Sequence, residues 1–350
     1  LSSAVKFYMA VFILHKLLFE TIGVSFFLVA IAALLIVWIY TYKSGIRTIV
    51  WTDFIQTIFL VISLFVLLKV VIDLFGEGFM GAFEAVAQST LSTTFVFDDW
   101  ISKQNFFKQF LSGAFVVIVM TGLDQDLMQK NLSCKSLSES RKNILLGSVL
   151  FIPLNLILLS LGALIILFYS QNGIQIPVDG DLLLSDFVLK NGQWAMMFFS
   201  IGIMASAFSS MDSAMTSITT SFSVDFLGAG NVTKFKRIMI HFAVAGLFLF
   251  LMCMVRWVKS DHALDMIYTL VSYLYGPLLG LFAFAMATKR KVRPRAIPLA
   301  SVLGPLLSYI IALFLKKIDY VMGYELLLLN GTIVFLVLFL NSKRSDSNFN

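Results

Sequence analysis

The sequence predicts an all-α membrane protein, a polytopic helical bundle of about ten transmembrane helices, and three observations carry that expectation. Hydrophobic residues make up 59% of the 350 residues and charged residues 13%, with a mean hydropathy of +0.91. A soluble domain is about 45–50% apolar and about 25% charged, so one water-bounded core cannot absorb this much apolar surface, whereas lipid can. Apolar runs also recur at lengths of about 20 residues or more, which a helix needs to cross a hydrocarbon core of roughly 30 Å. Finally, the short alternating strands of an outer-membrane barrel do not occur in the sequence.

The spans read in order as 4–20, 22–42, 45–75, 105–130, 139–170, 193–227, 235–258, 263–288, 296–316 and 322–341. The third, fifth and sixth exceed the minimum length, so tilt, kinks or ends projecting into water are expected there. Polar-richer insertions at 76–104 and 171–192 break the series; the first has room for a short surface helix, with Asp98, Asp99 and Trp100 near the membrane interface. In the fifth span Pro153 and Asn155 suggest a kink, and in the eighth the Gly276-Pro277 pair should interrupt regular hydrogen bonding. Gly113 and Gly122 in the fourth span permit close approach or a break.

Basic residues set the orientation. Placing the 43–47 turn inside gathers most Lys and Arg on the same side, in 130–142, 234–237, 289–295 and 343–344. This gives an even number of spans with both ends of the chain cytoplasmic. The net charge of +6 follows from that topology, with no nucleic-acid partner needed. Cys134 and Cys253 fall at an inner helix end and within a span, a poor placement for a disulfide. His15, His241 and His262 are scattered. No catalytic triad, phosphate loop or metal-hydrolase motif occurs, so neither an enzyme nor an organic cofactor is expected.

Ionisable groups inside spans are expensive, which makes them candidates for function. Asp53 lies in GIRTIVWTDFIQT near the inner third of the third span; the structural alternative is an interfacial acid capped by Thr52 or paired with Arg47. The sixth span carries Ser206, Ser209, Ser210, Ser213, Ser217 and Thr220 at helical spacing, lining hydroxyls along one face. Hydroxyls alone more often serve close helix packing. Asp212, one turn after Ser209 and beside Ser213, adds a negative charge and concentrates oxygen ligands near mid-membrane, where transporters hold hard cations. Asp124 and Asp126 approach the cytoplasmic mouth of the fourth span, and Asp126 reads as an i, i+4 ion pair with Lys130.

Taken in order, three segments resemble the sodium/solute symporter family: GIRTIVWTDFIQ at 45–56, DQDLMQKNLSCKSLSESRK at 124–142 with Lys130 where Arg is usual, and FSSMDSAMTSITTSFSVDF at 208–226. The resemblance covers nearly the whole chain. It implies the leucine-transporter-type fold of two inverted five-helix repeats, with 1–75 the remainder of the first repeat, 105–288 the second and 296–341 two additional helices. On that alignment the chain, which opens at Leu1 in an already apolar segment, is expected to be truncated at its N-terminus and not to transport alone. The resemblance further implies that Ser209 and Ser210 supply hydroxyl ligands of a common sodium site and Ser206 a carbonyl. It sets Asp53 with Ser209, Asp212 and Ser213 at a second sodium site, although relatives usually carry a neutral residue at the position of Asp212. Val117, Met120, Thr121 and Tyr273 line the substrate; the first two are apolar where sugar-transporting relatives have polar or aromatic contacts, which points away from a sugar. The expected function is sodium-coupled symport of a small organic solute at the cell membrane. The alternative is a symporter-related sensor without net transport, which should carry a cytoplasmic domain after the last helix.

Overall fold

The computed structural model describes residues 2–42, 46–93, 95–228, 232–257 and 263–344; within these, the side chains of 46, 47, 126, 263–268 and 344 are not described. The expectations for the 43–45 turn and His262, and for the side chains of Arg47 and Asp126, therefore lie outside the described residues. The chain is built from helices α1 (Ser2–Leu14), α2 (Phe26–Thr41), α3 (Ile46–Phe75), α4 (Gly78–Gln88), α5 (Phe106–Leu123), α6 (Gln125–Leu132), α7 (Leu137–Gln171), α8 (Leu183–Lys190), α9 (Gln193–Ser221), α10 (Lys234–Trp257), α11 (Ala263–Ala287), α12 (Ala296–Lys316) and α13 (Leu326–Leu340). Single π turns extend α1 over His15–Phe19 and α9 over Phe222–Phe226. Among the described residues, 8 helices are long and apolar enough to cross a membrane, and α2 and α13 are shorter apolar helices. Together they account for every predicted span.

The helices fall into two compact units. In the first, Leu1–Ser92 with Gln129–Ala263, α9 packs against α1, α3, α8 and α10. Gly202 of α9 permits the approach to α3, because a Cβ there would stand 2.7 Å from that of Ser63. One apolar cluster joins Phe7, Phe26, Val37, Met211, Met215 and Phe248; another joins Leu67, Val71, Leu164, Tyr169, Phe187 and Phe199. On α3, Trp51, Phe54, Ile58, Phe59 and Phe65 remain exposed, a face suited to hydrocarbon rather than water.

In the second unit, Thr93–Met128 with Leu264–Asn350, α11, α12 and α13 meet at glycines. Helix α11 continues through Pro277, where regular hydrogen bonding is expected to be interrupted. Proline lacks an N–H, so the carbonyl of Tyr273 four residues earlier has no helical donor. Asn330 of α13 supplies one: its Nδ2 donates to the carbonyls of Tyr273 at 2.9 Å and Ser272 at 3.1 Å. Gly276 makes room for that amide. The polar side chain thus repairs the break that the Gly-Pro pair creates.

Two further differences stand out. The predicted span 105–130 is not one helix: α5 ends at Leu123, Asp124 is extended with φ −75° and ψ 124°, and α6 begins at Gln125. The extended residue lets the Tyr275 hydroxyl donate to the Asp124 carboxylate within the second unit. The insertion 76–104 does hold a short helix, α4, but α8 in the insertion 171–192 was not foreseen. Pro153 lies inside α7, which continues through it, while the Asn155 amide donates to the Phe151 carbonyl at 2.8 Å.

Candidate cation site

The first unit brings Asp53, Ser209, Asp212 and Ser213 into one region between α3 and α9. Asp53 sits on the second turn of α3, and Ser209 Oγ donates to its Oδ1 at 2.5 Å. Lys130 of α6 places Nζ 2.9 Å from Asp53 Oδ2, with only 19% of the Asp53 side chain exposed. Lys130 thus pairs with Asp53, and the expected pairing with Asp126 lies outside the described residues, which do not include the Asp126 side chain. The Thr52 hydroxyl, expected as a cap for Asp53, instead donates to the Ile49 carbonyl at 2.9 Å and reaches Asp212 Oδ2 at 3.4 Å.

Asp212 is fully buried, at 0% exposure. Tyr40, at the inner end of α2, donates to its Oδ2 at 2.9 Å, while Oδ1 is buried with no hydrogen-bond partner. Ser213 Oγ beside it is also buried and unpartnered. A desolvated carboxylate oxygen and a desolvated hydroxyl are costly when left alone, and a small hard cation is one species that satisfies both at once. Ser210 is half-buried and Ser206 exposed on the same helix.

Sequence reasoning missed Tyr40 at this site, and it named Thr52 and Lys130 with other partners. A signal existed for Tyr40, since it stands just before the basic 43–47 turn and Asp53 just after, so both lie at one depth. A second buried polar cluster lies nearby: His241 contacts Thr41 Oγ1 at 2.8 Å through Nε2 and Thr219 Oγ1 at 2.9 Å through Nδ1. The residues expected to line the substrate fall in the second unit, where Val117 is exposed, Met120 packs against Val116, Val119, Leu279 and Leu327, and Thr121 is half-buried. Tyr273 lines a cavity of about 620 Å³ with Gln109, Tyr309 and Lys316.

A membrane-embedded helical protein with an acid-and-hydroxyl site on packed spans is the class these features define. The model of the sodium:solute symporter family matches residues 3–298, so the chain belongs to that family. It is similar to the sodium/sialic acid symporter SiaT of Proteus mirabilis (strain HI4320), 25% identical over 268 residues, which cover 72% of this chain and 53% of that protein. The chain therefore spans about half the length of this curated relative. A solved Na+-coupled sialic acid symporter, in a substrate-bound outward-open state with a novel Na+ site, has the same fold: TM-score 0.76, 19% identity, 98% of this chain and 72% of that one covered.

Proposed function

We propose that the protein couples the movement of a small organic solute to sodium by symport across the cell membrane. The observation that carries this reading is the Ser209–Asp53 contact at 2.5 Å inside two packed spans, beside the buried, unpartnered oxygens of Asp212 and Ser213. Ser209, Ser210 and the Ser206 carbonyl are assigned to one sodium site, and Asp53, Ser209, Asp212 and Ser213 to a second. Val117, Met120, Thr121 and Tyr273 are assigned to the solute path. The sialic acid of the relatives is not carried over, because Val117 and Met120 offer a sugar acid no polar contact. Helices α1–α3 are read as part of the first repeat, α5–α11 as the second, and α12 and α13 as additions to the core.

The test is Ser209→Ala with Ser210→Ala. Removing two oxygens from a desolvated cation leaves a deficit that protein cannot replace with water, so sodium affinity should fall by about tenfold or more. Binding of radiolabelled sodium to the purified chain reads the change, with detergent-solubilised yield as the control for folding. Unchanged sodium binding in the double variant rejects the assignment.

A further inference from the structure

The ends of α11 and α13 are joined by a two-stranded antiparallel ribbon, β1 (Arg290–Val292) and β2 (Ser342–Arg344). Its register sets Lys291 opposite Lys343 and Arg290 opposite Arg344. Like charges directly opposite in a ladder repel, so a ribbon that pairs them in succession is built against its own stability. Lys289, Lys291, Arg293, Arg295 and Lys343 are all exposed. Among the described residues none of these five forms an ion pair with an acid. Arg290 is different: its guanidinium lies 4.2 Å over the Phe339 ring, and its Nε is buried with no hydrogen-bond partner. A donor held in place without an acceptor points to a missing anion.

Depth says which anion. The span α11 ends at Ala287, α12 begins at Ala296 and α13 ends at Leu340. The ribbon thus begins where three apolar helices leave the hydrocarbon, at the level of lipid headgroups on the side the basic residues mark as cytoplasmic. We propose that this ribbon is a docking surface for the phosphate headgroups of anionic phospholipids of the inner leaflet. The headgroups supply the counter-charge that Lys291, Lys343 and their exposed basic neighbours lack, and the bilayer fixes them at the right height. The positive-inside bias explains why basic residues lie on this side; it does not explain why they are paired face to face in a strand ladder.

The experiment uses the purified chain in detergent, titrated with micelles containing phosphatidylglycerol, phosphatidylcholine or no lipid, or with inorganic phosphate alone. Thermal unfolding is the readout. Phosphatidylglycerol should raise the midpoint, phosphatidylcholine and inorganic phosphate should not, and added salt should weaken the rise. The double variant K291Q/K343Q should bind phosphatidylglycerol roughly 25-fold more weakly, about fivefold per lysine removed, while K291R/K343R retains the effect. The glutamine variant relieves a cross-strand repulsion, so its lipid-free midpoint should not fall. An undiminished rise in K291Q/K343Q, an equal rise with inorganic phosphate, or no rise with phosphatidylglycerol overturns the proposal. Sodium and solute take no part in this measurement, so its failure leaves the symport reading where it stands.

Discussion

Asp53 shows how a residue can be legible in kind and opaque in partnership. An acid in the inner third of an apolar span announces itself by cost, but its partners lie 156 residues away at Ser209 and 77 away at Lys130 by chain numbering. Local spacing points Lys130 to Asp126, an acid whose side chain lies outside the described residues; the fold also sets Lys130 against Asp53. Removing one member of a mostly buried ion pair strands the other, so Lys130→Met should cost about 1–3 kcal/mol. Adding Asp53→Asn should restore part of that loss, because the double variant leaves no unpaired charge. Thermal unfolding in sodium-free buffer measures both, and strictly additive effects would show that the pair does not interact. Asp186, on the surface helix α8, gives a pH test. Burial pushes its carboxyl up, but Lys190 Nζ at 2.6 Å and the Tyr169 hydroxyl at 2.8 Å outweigh that and hold it below the usual carboxylate range. A folded-state value below the unfolded one stabilises the fold above about pH 4 and loses that contribution as pH falls through the lowered value. Asp186→Asn should therefore cost stability near neutral pH and flatten the acid limb of the curve. An acid limb identical to that of the parent would remove Asp186 from the account.

At the scale of elements, long apolar periodicity identified each membrane helix, since hydrocarbon solvation depends on composition over about 20 residues and hardly on packing. Features set by tertiary contacts were not visible. The break at Asp124 depends on Tyr275, and the continuity of α11 through Pro277 depends on Asn330. Gly122 and the Gly276-Pro277 pair mark both places in the sequence, but neither names the partner. The α11–α13 contact makes a sharp prediction. A Cβ on Gly276 would fall 2.2 Å from Asn330 Cγ, whereas one on Gly162 of α7 meets nothing within 4 Å. Gly276→Ala should destabilise by about 1–3 kcal/mol through overpacking, while Gly162→Ala should be neutral or better. Asn330→Leu should likewise destabilise, because two carbonyls then lose their donor. Equal unfolding midpoints for the two alanine variants would show that Asn330 moves aside freely.

For the molecule as a whole, the membrane is the organising solvent, and sidedness is its least local property. The charge bias of the loops predicts it from the sequence; the β1–β2 pairing bears on the parity of α12 and α13. Strands that hydrogen-bond must share a side, and α12 and α13 lie between them in the chain, so those two helices cross as a pair. That pairing was not legible beforehand, because Lys291 and Lys343 read as two separate basic turns until the register set them opposite each other. Under the charge bias, the loop holding Val178, fully exposed at 103%, is expected on the outer side. In a background with Cys134→Ser and Cys253→Ser, a cysteine replacing Val178 should react with a membrane-impermeant maleimide in intact cells. A cysteine replacing Lys291 should react only after the membrane is permeabilised. A charge bias can mislead over a single loop, but both positions would have to exchange sides for the whole bundle to be inverted. Labelling of the Lys291 variant in intact cells, with the Val178 variant silent, would invert the orientation and move the basic ribbon to the outer leaflet. Labelling of both in intact cells would break the odd parity of the three spans between them, and with it the assignment of α9, α10 and α11 as full crossings.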